Sequence, residues 1–193
     1  DCCTALTYIS FGLSFNQSLA NSLDNCPLLT HIIFGDDFNQ PLGSSLNNCP
    51  LLTHIIFGDN FNQPLANSLN NCISLTHITF GNDFDQSLAN FFDVHKVLVH
   101  LALGSNFNQK NGLPFNIRSL SLNCNDEFYT DYLPDTIEEL ELGRDFNLEL
   151  NNLPSTIKKI TFDSDSTCDK ELNCLPCKLS ILKLPAYYAN QIQ

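Results

Sequence analysis

Four histidines recur at equal spacing and are the first candidates for chemistry. They are His31, His54, His77 and His100, each 23 residues after the one before. Imidazoles titrate near neutral pH and bind metals, so such a row could be a pH-sensitive or a metal-binding stripe. A straight column offers at most two ligands to one ion, whereas zinc needs converging ligands. We therefore favour a surface residue propagated by repeat duplication, and we predict no metal site and no cofactor.

Charged residues also recur at equal spacing, in the second half of the chain. Glu138 and Glu139 precede Lys158 and Lys159 by 20 residues, and Arg118 precedes Glu138 by the same interval. Opposite charges at equivalent repeat positions predict a stabilising ladder across neighbouring strands. A pair of carboxylates that hydrolyses glycosides would need a cleft, which a regular sheet does not offer. We interpret these charges as structural.

Seven of the nine cysteines form two groups, and Cys2 and Cys124 belong to neither. One group lies three residues before a recurring strand motif, at Cys3, Cys26, Cys49 and Cys72. In later repeats the same place holds His95, Pro114, Pro134, Pro154 and Pro176. This pattern indicates a partly buried turn with a column of reduced thiols, although neighbouring cysteines are also within reach of a disulfide. The second group is Cys168, Cys174 and Cys177, where we expect a structural end-cap, with or without one disulfide.

No recognisable catalytic motif is present in the sequence. It contains no phosphate-binding loop, no Gly-x-Ser-x-Gly and no His-Glu-x-x-His. No serine is spaced with an aspartate and a histidine in a familiar pattern. We therefore predict a protein that is not an enzyme and has no catalytic residues.

Composition limits the classes of partner that the protein can bind. Apolar residues make up 43% of the 193 residues, which excludes a disordered chain and allows one sizeable domain. The net charge of −12 disfavours nucleic acid, because phosphates would be repelled. No apolar run approaches the ~18 residues of a membrane span. We expect a protein partner rather than nucleic acid or a membrane.

Internal repetition dominates the chain and predicts its fold. The motif Leu-x-x-Leu-x-Leu, with Ile or Phe allowed, begins nine times, at Leu6, Leu29, Leu52, Leu75, Leu98, Ile117, Ile137, Ile157 and Leu179. Within it, apolar residues at positions four and six alternate with exposed ones, as in a strand. A single unit of this size cannot bury its apolar face, but stacked units can. We predict a mainly β solenoid of the leucine-rich-repeat kind, with about nine rungs, one parallel sheet on the concave face, and turns or short 3₁₀ pieces on the convex side.

Three further features belong to this prediction. Phe-Asn-Gln recurs every 23 residues, and its Phe should stack inside as a spine that continues to Phe128 and Phe146. The Asn that follows should turn inward and satisfy loop backbone groups. The Gly that follows most strands is consistent with a tight turn. We expect a single solenoid over 1–193, with regular repeats over 1–110, shorter ones over 111–166 and a C-terminal cap over 167–193.

Positions three and five of each motif should point to the exposed, concave face. There the middle repeats carry imidazole and aliphatic side chains, as a partner-binding patch would. The predicted partner-binding residues are Tyr8, His31, Ile33, His54, Ile56, His77, Thr79 and His100. The alternative is that these residues reflect only the preference of such side chains for sheets.

The second half of the chain resembles a known repeat family. Leu133-Pro134-Asp135-Thr136-Ile137-Glu138-Glu139-Leu140 is followed 20 residues later by Leu153-Pro154-Ser155-Thr156-Ile157-Lys158-Lys159-Ile160. This pattern resembles the FNIP repeat, a relative of the leucine-rich repeat found in social amoebae and in giant viruses of amoebae. The earlier repeats, with Phe-Asn-Gln-Pro-Leu, look like a longer version of it.

The resemblance carries expectations about function. It implies a protein-interaction scaffold, and in many relatives an F-box precedes the repeats, which then recruit substrates to a ubiquitin ligase. No F-box occurs within residues 1–193. It also suggests host cytoplasm or virion as the location. The alternative function is a structural building block, of a virion or a surface, that assembles through the repeat ends.

Overall fold

Nine short strands form one parallel sheet in the order of the chain. The computed structural model describes residues 3–20, 22–89, 91–109, 113–124 and 133–190. The strands are β1 Tyr8–Ser10, β2 His31–Ile33, β3 His54–Ile56, β4 His77–Thr79, β5 His100–Leu103, β6 Ser119–Leu122, β7 Glu139–Leu142, β8 Lys159–Phe162 and β9 Ile181–Lys183. Each pairs only with its neighbours in sequence, from β1 to β9. The prediction of a mainly β, leucine-rich-repeat-like solenoid is confirmed.

The alternation of side chains fixes the register of this sheet. His31 lies opposite His54, and Ile32 lies opposite Ile55. The side chains at position four, such as Ile32 and Ile55, are fully buried, whereas the histidines are half-buried. A register slip of one residue would expose every apolar side chain, so burial selects this pairing.

Stacked phenylalanines form the predicted spine of the core. Phe38, Phe61 and Phe84 are fully buried, and consecutive rings lie 6.0 Å apart and nearly parallel. A second column comes from position six, where the Phe57 ring lies 4.0 Å from that of Phe61. Phe146 is also buried. Phe128, which we predicted to continue the spine, lies outside the described residues.

The Asn that follows each spine phenylalanine holds the next rung in place. The Asn16 side-chain oxygen accepts hydrogen bonds from the Asn39 backbone N–H (2.9 Å) and the Gln40 amide (3.0 Å). In the same way, the Asn39 side-chain oxygen accepts hydrogen bonds from the Asn62 backbone N–H and from the Gln63 side-chain amide. The predicted hydrogen bonds to loop backbone are therefore present. These asparagine side chains are exposed or half-buried, however, and do not turn into the core.

The glycine that follows most strands begins the tight turn that we expected: the Phe38 N–H donates to the Gly35 carbonyl (3.1 Å), and the Phe61 N–H donates to the Gly58 carbonyl (3.4 Å). None of the glycines that follow the described strands has a positive φ; the one described glycine that does is Gly43, in a return path. A Cβ at Gly58 would instead lie 2.5 Å from the Cα of Asp36 in the preceding rung. Gly35, Gly58, Gly81 and Gly104 are needed because a Cβ at these positions would meet the backbone of the preceding rung.

The return paths are turns, with one exception. Phe91–Val94 forms a short helix, α1, which the sequence did not predict. Its i to i+4 hydrogen bond runs from the His95 N–H to the Phe91 carbonyl (3.3 Å), and the two rings lie 4.2 Å apart. The helical turn is thus stabilised where His95 replaces the cysteine of earlier rungs. In the described part of the chain, no helix has the length and apolar character needed to cross a membrane.

The cysteine column is buried except at its first member. Cys49 and Cys72 are fully buried and donate to the carbonyls of Leu23 (3.5 Å) and Leu46 (3.6 Å). Burial raises the pKa of Cys49 to about 11 and that of Cys72 to about 12, so both stay protonated thiols at neutral pH. Cys3 is exposed, because no described rung precedes it.

The second cysteine group contains no disulfide. Cys168 is a buried thiol, whereas Cys174 and Cys177 are exposed thiols.

The predicted charge ladder is present: Glu138 pairs with Arg118 (2.7 Å) and with Lys158 (2.6 Å).

His95 should make the protein sensitive to acid. It is fully buried, and neither ring nitrogen makes a hydrogen bond of normal geometry to a described residue. Burial lowers its pKa from 6.5 to about 4, which a nearby Cys72 backbone group offsets only in part. Since the unfolded chain binds this proton more readily, stability is complete above pH 6.5 and is lost as the pH falls toward 4.

The His95→Cys variant should lose much of this sensitivity, since it restores the residue of the earlier rungs. Urea denaturation of the two proteins at a series of pH values from 7 to 4 measures the effect. We expect wild type and variant to diverge progressively below pH 6.5. Parallel pH curves would show that His95 is not responsible. His31→Asn is a control, since that ring is only half-buried.

Candidate functional site

The structure brings the eight predicted residues together on one face of the sheet. We call this the open face: it consists of the side chains at positions three and five of β1 to β5, turned away from the phenylalanine core. Position three aligns Tyr8, His31, His54, His77 and His100 in register. Position five aligns Ile33, Ile56 and Thr79. Strand alternation alone accounts for this placement.

The four imidazoles form a continuous stack. The ring centroids of His31 and His54 lie 4.3 Å apart, those of His54 and His77 4.2 Å apart, and those of His77 and His100 5.5 Å apart. Tyr8 extends the stack at 6.1 Å from His31. The rings are half-buried by each other, with only Tyr8 largely exposed. Parallel rings at this spacing direct their nitrogens side by side rather than toward a common point.

Threonine hydroxyls fix the tautomer of three of these histidines. Thr30 donates its hydroxyl hydrogen to the Thr7 carbonyl (2.9 Å), while its oxygen lies 2.9 Å from Nδ1 of His31. A hydroxyl has one hydrogen, so this oxygen can only accept from the imidazole. Nδ1 therefore carries the proton, and the neutral ring keeps a lone pair on Nε2. The arrangement recurs at Thr53–His54 and Thr76–His77.

The pKa values of His54, His77 and His100 are lowered, so protonation of these three rings is disfavoured. Partial burial is the larger cause that lowers the pKa of His54 and His77, and neighbouring imidazoles lower it further. At His100 burial also lowers the pKa, while Glu141 and Glu139 act in the opposite direction. Repulsion between neighbouring imidazoles is therefore the smaller cause at His54 and His77.

A groove runs along the open face beside this stack, which the sequence analysis did not foresee as a unit. It has a volume of about 500 Å³ and extends from β1 to β6. Its floor includes the predicted residues Ile33, Ile56 and Thr79. Its rim carries Asp36 and Asp59, which we did not select. The repeated Gly-Asp at 35–36 and 58–59 was the available signal, since it places an acid at the same point of two rungs.

The open face combines partly exposed apolar and aromatic side chains with polar ones. Across the described ranges, no three His, Cys, Asp or Glu side chains are grouped so as to hold a metal ion. The described groove lining includes aliphatic side chains, backbone glycines and two carboxylates, without a nucleophile next to a base. Ile56 is 39% exposed and Tyr8 52% exposed, and both are the type of side chain that partners cover.

Comparison with known proteins agrees with this architecture. The FNIP repeat model matches residues 110–145 and 125–165. Among solved structures, CroV588, described as a novel circular LRR protein, is 29% identical with a TM-score of 0.63. The match covers 91% of this chain but only 30% of that one. No curated protein matches the sequence.

A second solved structure shows the same fold at lower identity. It is an internalin (inlF) from Listeria monocytogenes str. 4b F2365, 15% identical with a TM-score of 0.57. The match covers 92% of this chain and 59% of the internalin chain. Leucine-rich-repeat-like folds are typical of protein-interaction scaffolds and are generally not enzymes. The chain therefore has a leucine-rich-repeat-like fold, and its residues 110–165 match the FNIP repeat model.

Proposed function

We propose that this protein is a non-enzymatic scaffold whose open face binds a protein partner. The observation that carries the proposal is the alignment of eight aromatic, imidazole and aliphatic side chains along one face, beside a continuous groove. Extended surfaces of this kind are what stacked repeats offer to partners. Partly exposed Ile56, next to the His54 column, lies at the centre of the face.

The Ile56→Asp variant tests this proposal against a matched control. Leu51→Asp places the same charge on an apolar side chain of the same rung, 46% exposed but outside the open face. We expect the aspartate at 56 to weaken partner binding at least roughly a hundredfold, since it buries a charge at an interface centre. The aspartate at 51 should leave binding unchanged.

The measurement is capture of a partner from host extract by wild type, followed by its dissociation constant for each variant. Circular dichroism and urea denaturation check that both variants fold. If the two variants retained the partner equally well, the open face would not be the binding surface.

A narrower role within this proposal is the substrate-recruiting part of an F-box ubiquitin-ligase adaptor. Its support is the FNIP match alone. Co-purification of ubiquitin-ligase subunits with the full-length gene product tests it. Recovery of the partner without any ligase subunit would leave the scaffold and remove the ligase role.

The second candidate function is a structural building block that assembles through its ends. Its support is that β1 and β9 have exposed side chains at both outer positions, whereas inner strands bury more. Each also has one sheet edge without a described partner strand, a feature that promotes edge-to-edge association. Sedimentation at increasing protein concentration tests this function, which a constant monomer mass would contradict.

A further inference from the structure

The groove on the open face has a chemical bias that identifies its kind of partner. Its described lining includes the carboxylates of Asp36 and Asp59 and no lysine or arginine. Among the described residues neither carboxylate takes part in an ion pair, and both side chains are exposed. One Asp59 oxygen accepts from the Asn82 backbone and amide, at 3.3 and 3.1 Å. The negative charge of the rim is therefore not neutralised within the described structure.

The histidine stack adds hydrogen-bond acceptors to the same face. With Nδ1 of His31, His54 and His77 donating to threonine oxygens, the remaining lone pair of each neutral ring is on Nε2. Neighbouring rings are stacked about one rung apart, so three such acceptors recur along the face. A ligand that supplies hydrogen-bond donors can use these acceptors.

The groove has an apolar floor as well as an acceptor-rich border. Ile33 and Ile56 lie side by side on its floor, and the groove lining also includes Gly35 and Gly58. Lysine and arginine can lay their methylene stems on an aliphatic floor while their charged ends reach carboxylates. Neither a purely apolar nor an acidic ligand would use both features.

The length of the groove matches an extended segment. It spans six strands, and five intervals of ~4.8 Å give about 24 Å. An extended chain covers ~3.3 Å per residue, so about seven residues would fill the groove. We propose that this groove binds an extended basic segment of a protein partner, with the Nε2 atoms of the stack and the carboxylates of Asp36 and Asp59 accepting its donor groups. This proposal rests on the proposed scaffold function and specifies the chemistry of the partner.

Acidification should weaken such binding. A protonated imidazole would present an N–H donor and a positive charge to the basic segment. The titratable or charged groups that face the stack are the imidazoles themselves, Tyr8 at one end, and Glu139 and Glu141 near His100. Asp36 and Asp59 lie along the rim of the groove.

Fluorescence anisotropy with three labelled nine-residue peptides tests the proposal on the full chain. The peptides alternate valine with arginine, with glutamate or with glutamine, and are measured at about pH 7.5 and 0.15 M salt. We expect the arginine peptide to bind at least about tenfold tighter than the other two. Binding should fall roughly fivefold or more at about pH 5.5, and His54→Asn with His77→Asn should reduce this pH dependence.

Charge-matched variants separate the groove from the overall acidity of the protein. The pair Asp36→Asn and Asp59→Asn should weaken the arginine peptide about tenfold, because it removes both rim carboxylates. The pair Asp93→Asn and Asp135→Asn removes the same charge from exposed positions away from the groove and should have little effect. Equal losses in the two pairs would overturn the proposal, since attraction would then be general.

Two further outcomes would contradict the preference for a basic segment and leave the scaffold function intact. If the glutamate or glutamine peptide bound best and Ile56→Asp removed that binding, the open face would remain an interaction surface and the basic preference would be wrong. If no peptide bound while Ile56→Asp still abolished capture of the natural partner, the scaffold would stand and the basic segment would be excluded.

Discussion

Replacing Gly58 with alanine should destabilise the fold by about 3 kcal/mol or more, although it adds one methyl group at a half-exposed position. The new Cβ would lie 2.5 Å from the Cα of Asp36 and from the carbonyl carbon of Gly35, and closer still to the oxygen of that carbonyl. All three atoms belong to backbone, so no side chain can rotate away. The two rungs must separate, which breaks the parallel register that every other contact uses.

Gly12 provides the matched control in the same column. A Cβ there would meet nothing within 4 Å, because no described rung packs on that side. Gly12→Ala should change stability by less than about 0.5 kcal/mol, or raise it slightly by restricting the unfolded chain. Urea denaturation of both variants, with fitted midpoints and slopes, measures the difference. A similar loss in the two variants would show that close approach between rungs is not what the glycine column provides.

The glycine column shows where sequence reasoning reached its limit. The repeat made the glycines visible and predicted the turn that they begin, but it did not predict their close approach to the preceding rung. A glycine that permits a positive φ and a glycine that permits close backbone approach leave the same mark in a sequence. The second explanation requires knowing how far apart successive rungs lie at that point, which is a tertiary quantity.

The strands and the core were predictable for the opposite reason. Strand alternation places His31 and Ile33 on one face and Ile32 on the other, whatever the details of stacking. Nine repetitions of one motif then fix the register, because only equivalent residues bury equivalent surfaces. The short helix Phe91–Val94 was missed, since four residues are too few to show a helical period.

The candidate site likewise has some features that the sequence predicts and others that it does not. Its eight side chains were predictable from alternation, but the tautomer of His31 was not. That tautomer depends on the Thr30 hydroxyl, which donates to a carbonyl one rung away, at Thr7. The groove rim likewise depends on where the loops that carry Asp36 and Asp59 lie relative to the floor of the groove. Both the tautomer and the rim depend on distances between neighbouring rungs, which the sequence does not give.

Phe61→Ala should cost about 3–5 kcal/mol of stability, the range for a large aromatic side chain removed from a core. Phe61 is fully buried and contacts three other rings: Phe38 and Phe84 at 6.0 Å in neighbouring rungs, and Phe57 at 4.0 Å in its own. In a solenoid each rung is stabilised by its two interfaces, so a cavity in the middle weakens both at once. The flanking backbones cannot collapse into it without losing the parallel register of the strands.

Phe115→Ala is the control, because it removes a phenylalanine that lies outside the core. Phe115 is 89% exposed, so its removal should change the free energy of unfolding by less than about 0.5 kcal/mol. Thermal unfolding followed by circular dichroism compares the two variants with wild type, and Phe61→Leu adds an intermediate case. We expect Phe61→Leu to retain part of the stability that alanine loses, because it keeps most of the apolar volume but none of the ring stacking. Equal losses for leucine and alanine would show that ring stacking, rather than filled volume, holds the rungs together.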